Sequence, residues 1–412
     1  MDTGAPSYRA TLAVPGFGRI MGASLVGRGA GAMLNVVMVL FVLQRFRSPA
    51  LAGITVFAFV GPGLVLSPIA GALLDRYGRV RLIKLDYLVG AAALAAIAGL
   101  SWSGRLTPLV LVGLALVGGI TGILSAAGVR SVVPLVLPEH LWGRGNAIDS
   151  SGYTVTILVG PALGGVVVGL LGPEAAMLVV SLLFILGAAS LVAVTEPGSR
   201  HDGRGEPLLA SALAGVRYVA GHVVLRAIAT SLTALNVGAG MMVVAMPVLA
   251  LRNLGGGSVA VGALWAVQGL GGAAAGFVFG RLETRGREKG LVIAGLLGTA
   301  LATAVMAGAP NLLVLALGSL GIGLVTGPLD VTLFSLRQRV TGTRWLGRAI
   351  AVSMSFNFVG YPIGSAISGP FIAIGPRFAL LLAAALAVLS AGIAAVMLRI
   401  PGVSEPAVPV AG

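Results

Sequence analysis

The chain has 412 residues, of which 57% are hydrophobic and only 10% charged, with a mean hydropathy of +1.02. Water-soluble domains carry roughly 45–50% apolar and about 25% charged residues, so this composition excludes an ordinary soluble enzyme. A net charge of +14 would suggest a nucleic-acid partner in a soluble protein. Here the basic residues are scattered between apolar blocks without aromatic interleaving, and no nucleic-acid partner is expected. The absence of cysteine removes disulfides and thiolate sites together. The three histidines, His140, His201 and His222, flank polar punctuation, so neither a metal nor another cofactor is expected.

A bilayer core about 30 Å thick takes roughly 20 apolar residues per helix, so twelve crossings would use about 240 positions, close to the apolar share of the chain. Residues 1–15 are mostly polar and carry no cleavable signal. The uncharged stretch 29–44 gives roughly 24 Å of helix, too short to cross. The first predicted span therefore runs from about 18 to 43 and takes in Arg28. Uncharged runs at 50–74, 87–104, 106–129, 150–173 and 175–195 complete six helices. A polar connection follows, 196–221, with Pro197, Gly198, Gly203, Gly205 and Pro207; its stretch 208–219 reads as a short interfacial helix. Six more spans come from 227–251, 253–280, 290–329, 349–376 and 378–398, because 290–329 is too long for one helix and breaks at Gly308-Ala309-Pro310-Asn311.

The expected fold is an all-α integral membrane protein with twelve transmembrane helices in two six-helix pseudo-repeat halves around a central cavity. The halves are 1–195 and 222–412. Their relation shows in Gly172-Pro173 and Gly375-Pro376, in Thr121-Gly122 and Thr326-Gly327, and in Arg28–Met38 set against Asn236–Met246, all at shifts of 202 to 208. With the N-terminus in the cytoplasm, twenty basic residues lie inside and five outside: Arg45, Arg47, Arg105, Arg252 and Arg377. The excess of cytoplasmic Lys and Arg sets both termini inside. Parallel repeats flanking a substrate site are one solution to alternating access, so the architecture points to transport.

Between the second and third spans stands Gly71-Ala72-Leu73-Leu74-Asp75-Arg76-Tyr77-Gly78-Arg79-Val80-Arg81. It resembles the signature loop of the major facilitator superfamily, G-x-x-x-D-R-x-G-R-[RK], departing only in its Val-Arg ending. The resemblance implies a cytoplasmic gate built from Gly71, Asp75, Arg76, Gly78 and Arg79. A degraded copy, Gly280 to Arg287, has Thr284 where Asp75 stands. In the fifth span Gly160-Pro161-Ala162-Leu163-Gly164-Gly165 resembles the core of the antiporter motif of exporters in that superfamily, which implies export; a helix-packing kink is the other reading of the same residues. Together with Arg130-Ser131-Val132-Val133-Pro134 and Asn146-Ala147, the chain looks like the branch containing enterobactin and macrolide exporters. That branch often carries an acid in its first helix, where this chain has Gly27-Arg28-Gly29.

A charge deep in a bilayer is costly unless it faces a cavity or a partner. Arg28 is accordingly either a substrate contact or one member of an ion pair with an acid on another span. Asn35, Tyr153, Asn236, Gln268 and Asn357 are further cavity candidates, with Tyr361 beside them. Asp149 and Asp330 are the candidate proton carriers; Asp86 and Glu174 stand at span ends. Trp265, Met33, Met38, Met241 and Met246 suit either an adaptable apolar pocket or packing. The expected function is a proton-coupled exporter of small amphiphilic molecules, acting as a monomer in a bacterial inner membrane with a small-molecule substrate, protons and lipid as its partners. The alternatives are a facilitator or importer of an anionic solute anchored by Arg28, or a non-transporting receptor. No nucleophile, base and oxyanion set is visible, so no enzyme is expected.

Overall fold

A computed structural model describes residues 7–194, 208–281, 286–342 and 345–399. The helices are α1 (Tyr8–Ala13), α2 (Phe17–Arg45), α3 (Pro49–Tyr77), α4 (Arg79–Trp102), α5 (Pro108–Val136), α6 (Trp142–Leu171), α7 (Pro173–Ser190), α8 (Leu208–Gly221), α9 (Val223–Val248), α10 (Ser258–Phe279), α11 (Glu288–Gly308), α12 (Leu312–Val340), α13 (Leu346–Ile374) and α14 (Pro376–Met397). Among the described residues eleven helices are long and apolar enough to cross a bilayer. The twelfth, α13, is 29 residues long and is interrupted by Ser353, Asn357, Ser365 and Ser368, all buried. Twelve long helices, with α1 and α8 as short additions, give the expected all-α architecture. The polar segment ahead of α8 lies outside the described residues, as do His201, Thr284 and Arg285.

Helices suit this environment because a bilayer offers no partners for backbone N–H and C=O groups. Several begin on side-chain caps: Ser48, Thr107 and Asn311 accept from the N–H of Leu51, Val110 and Val314, two of them just ahead of a proline at the first helical position. The helices overrun the uncharged runs by several residues. Arg76 closes α3, Asp149 lies inside α6, and Arg337 and Arg339 lie inside α12. Long charged side chains let a helix continue past the apolar core while their heads reach polar surroundings. Between α3 and α4 the chain turns on Gly78 alone, at φ 89°, a backbone region that glycine enters without steric cost.

Within the first half α2 packs on α6 and α7, α4 on α5 and α7, and α3 on α5. The second half repeats this pairing: α9 on α13 and α14, α11 on α12 and α14, and α10 on α12. Two crossings join the halves, α3 with α13 and α6 with α10. Both are tightest toward the face where α2 ends and α3 begins, called here the opposite face; the start of α2 and the end of α14 lie on the other, called the terminal face. Gly53 abuts the Ser365 carbonyl and Gly369 abuts Ala50. A Cβ placed on Gly165 would stand 2.5 Å from the Gly262 Cα. Gln44 donates to Ser258 Oγ at 2.8 Å and Arg252 to the Arg47 carbonyl at 2.8 Å across the same rim. On the terminal face α8 touches α3, α9 and α13. There Tyr218 stacks on Trp345 at 5.0 Å, and burial lowers the His222 pKa despite a hydrogen bond to the Val340 backbone.

Gly165→Val places branched carbons where backbone now touches backbone. Overpacking of this kind costs about 1–3 kcal/mol, and here the strain falls only on the conformer closed at the opposite face. Because the chain has no cysteine, spin labels at Leu171→Cys and Ala263→Cys report the α6–α10 separation directly. The variant should move the distance distribution toward the longer population; an unchanged distribution would show that these helices have room to spare.

Candidate functional site

Six helices enclose a cavity of about 680 Å³. Its wall is largely apolar: Val36 and Val39 of α2, Ile157, Leu158 and Pro161 of α6, Val243 and Pro247 of α9, and Trp265 and Phe277 of α10. Of the residues singled out in the sequence, Asn35, Tyr153, Gln268, Asp330 and Tyr361 line it. Asp330 is the one ionisable carboxyl on this wall and its side chain is exposed there. Beside it, the Gln268 Oε1 is buried without a hydrogen-bond partner. Asn35 is partly spent within its own helix, donating to the Gly31 carbonyl at 3.2 Å. Phe277 and Tyr153, 68% and 42% exposed, lie toward the terminal face, the side away from the glycine crossings. The cavity therefore opens to the terminal face.

Arg28 does not line this cavity. Gly29, its neighbour, stands against Thr156 of α6, so the backbone at Arg28 lies level with that residue. Asp149, seven residues earlier in α6, is roughly 10 Å nearer the terminal face. The guanidinium swings down to it and forms a two-pronged pair, Nη1 to Oδ1 at 2.7 Å and Nη2 to Oδ2 at 3.4 Å, with the side chains 16% and 11% exposed. The Tyr153 ring covers the guanidinium, its centroid 5.6 Å from Cζ. Of the two readings of Arg28, a substrate contact or one member of an ion pair, the geometry has the ion pair, formed between α2 and α6 because an Asp lies within side-chain reach. Asp149 is correspondingly committed to Arg28.

Asn236 and Asn357, expected on the central cavity, line a second one of about 270 Å³ inside the second half. Thr299, Thr303 and Arg337 share its wall, while Gln268, Thr326 and Asp330 border both cavities. Arg337 is 4% exposed. Its Nε donates to Ser353 Oγ at 3.2 Å, and Nη2 donates to the Asn357 amide oxygen while the Asn357 nitrogen donates to the Ser353 carbonyl. Sequence reading had counted Arg337 among the surface charges of the terminal side. Its spacing of seven from Asp330, two helical turns along one face, was the available signal. The four methionines are 0–4% exposed and packed in the core.

The Major Facilitator Superfamily model matches residues 20–265 and 228–411. The chain belongs to the major facilitator superfamily. It is 37% identical over 368 residues to the uncharacterized MFS-type transporter y4rN of Sinorhizobium fredii, covering 89% of this chain and 91% of that one. It is 26% identical over 396 residues to the multidrug efflux pump Tap of Mycobacterium tuberculosis, covering 94% and 93%. The fold matches solved structures of the nucleoside transporter NupG, with TM-score 0.77, 12% identity and 93% and 100% coverage. It also matches a bacterial homolog of the human lysosomal transporter Spinster in an inward-facing, unoccupied conformation, with TM-score 0.73, 15% identity and 96% and 98% coverage. The protein is a multi-pass membrane transporter of small molecules rather than an enzyme.

In the stretch that resembles the superfamily's signature loop, the surroundings of Gly71 and of the Asp75 side chain lie outside what is described. Arg76 is exposed with its Cζ 5.5 Å from the Tyr77 ring, and Arg79 opens α4 just after the Gly78 turn. The glycines of the fifth span divide their work. Gly160 and Gly164 face Ala32 and Met33 of α2, within the first half, and Gly165 faces Gly262 of α10, in the second. Pro161, between them, lacks a backbone N–H and borders the cavity.

Removing one partner of a buried ion pair leaves the other charge uncompensated, at a cost of about 3 kcal/mol or more. Arg28→Gln and Asp149→Asn should therefore each lower the thermal unfolding midpoint in detergent, and the double variant should recover most of the loss. Additive losses in the double variant would show that the two side chains do not depend on each other.

Proposed function

We propose that the protein is a proton-coupled exporter of small amphiphilic molecules, working as a monomer by alternating access in a bacterial inner membrane with both termini cytoplasmic. The observation that carries this reading is Asp330, the one ionisable carboxyl, exposed, on a largely apolar cavity wall. A site of about 680 Å³ falls within the range of drug-sized pockets, roughly 300–1,000 Å³, whose apolar linings take most of the ligand surface while a few polar groups fix its orientation. Trp265, Phe277, Ile157 and Val39 would take the apolar body, and the free Gln268 oxygen and Asp330 its hydrogen-bond donors. Ionisable side chains inside membrane spans mark substrate and proton pathways by default. A carboxyl that holds a donor group from one side and a proton from the other exchanges the two as the halves rock. Export is further supported by the likeness to a multidrug efflux pump and by the glycine-proline motif of the fifth span. Arg28, paired with Asp149, has little capacity left to anchor an anionic solute.

Reconstituted into liposomes with an imposed pH gradient, and screened with dyes, macrolides and siderophores, the protein should drive a substrate uphill against inward proton flow. Asp330→Asn should lower gradient-driven transport at least about tenfold, since a carboxamide carries no proton, while downhill substrate exchange persists. Gradient-independent equilibration by the unaltered protein would remove proton coupling, and full activity of the variant would remove Asp330 from it.

A further inference from the structure

The smaller cavity shares Gln268, Thr326 and Asp330 with the larger one, and its remaining polar groups are not used in the exchange described above. Leu232, Leu333 and Met242 form part of its wall together with Asn236, Asn357, Thr299 and Thr303, and Arg337 and Asp330 line it as well. Asp330 and Arg337 are the ionisable residues among those lining it. The other charged groups described at the terminal ends of α11 and α12 are Glu288 and Arg339, which pair with each other at 2.7 Å, and the neighbouring Lys289. Two of the five N–H groups of Arg337 have protein acceptors, Ser353 and Asn357. A guanidinium presents its donors as a planar fork suited to anions.

We infer that this chamber is an anion subsite, in which Arg337, helped by the second N–H of the Asn357 and Asn236 amides, whose first N–H groups donate to the Ser353 and Leu232 carbonyls, holds a small monovalent anion, a free halide or a carboxylate head, when Asp330 is protonated. The size fits: about 270 Å³ is below the range for drug-sized ligands, roughly 300–1,000 Å³, and generous for a small ion with water. The charge fits as well. With Asp330 ionised the chamber is neutral and an added anion meets the carboxylate; with Asp330 protonated the chamber carries one positive charge, which the anion neutralises. In a low-dielectric interior that difference decides occupancy. The pH dependence rests on the reading of Asp330 as a titrating group; the anion site itself rests on Arg337.

The test is binding of radiolabelled chloride to the purified full-length protein between about pH 5 and 8. Saturable binding is expected whose affinity rises by up to about tenfold for each unit fall in pH across the Asp330 titration. Arg337→Gln should lose at least about tenfold in affinity. Asp330→Asn, a near-isosteric change at the cavity wall, should hold the low-pH affinity throughout the range, and it supplies the answer should the arginine variant fail to fold. Absence of saturable binding in the unaltered protein, unchanged affinity in Arg337→Gln, or an unchanged pH profile in Asp330→Asn would overturn the proposal. Acetate competing as well as a long-chain carboxylate assigns the site to a free ion, and preference for the long chain assigns it to a substrate head; both support an anion site. Normal chloride binding combined with undiminished proton-driven transport by Asp330→Asn would leave the anion site standing and sink the exchange role of that residue.

Discussion

Contact of backbone against backbone, made possible by glycine, is what the rest of this molecule depends on. In lipid, helices gain little from burying apolar side chains against each other, because the surrounding tails are equally apolar; association comes from close van der Waals approach at small residues. The chain devotes 63 of its 412 positions to glycine, and the ones that matter most lie where the halves meet. Gly53 and Gly369 set α3 against α13, and Gly165 and Gly262 set α6 against α10. The halves are joined mainly at these two crossings, and each six-helix unit has its own internal packing. A central cavity that opens on one face and is shut on the other follows from that arrangement.

Inside this frame the charges obey a second rule, that a guanidinium or carboxylate among the spans needs a partner or a cavity. The first half satisfies it by pairing: Arg28 meets Asp149, and Arg45 reaches Ser101, which donates to Glu174. The second half leaves Asp330 on the wall between two cavities and Arg337 at the far end of the smaller one. The halves share a helix arrangement but not an electrostatic one. Among the described residues the first half pairs Arg28 with Asp149 and also buries the Asp86 carboxyl, while the second half carries the one carboxyl on the central cavity wall.

Much of the fold was legible in the sequence because hydropathy and helix length answer directly to bilayer thickness. The break at Gly308 to Asn311 separates α11 from α12, and the stretch before the second half forms the short helix α8. What hydropathy conceals is where a helix continues beyond its apolar run. Asp330 and Arg337 stand past the uncharged stretch 290–329, so hydropathy alone sets them at the margin of a span although α12 runs on to Val340. The site was less legible for a related reason. Helix periodicity tells which residues share a face, but not how far a flexible side chain travels, so the reach of Arg28 down α6 to Asp149 was one of two open readings. Asn236 and Asn357, expected on the central cavity, line the smaller one, because nothing in a linear pattern separates one cavity from another behind the same helix.

The glycine crossings have a consequence for the environment in which the transporter works. The barrier there consists of peptide backbone and small side chains, with Arg252 bound to a carbonyl rather than a carboxylate at its rim. Among the described residues, those named at these crossings include no carboxyl, imidazole or ion pair, so acid or electrolyte in the compartment beyond finds little there to titrate or screen.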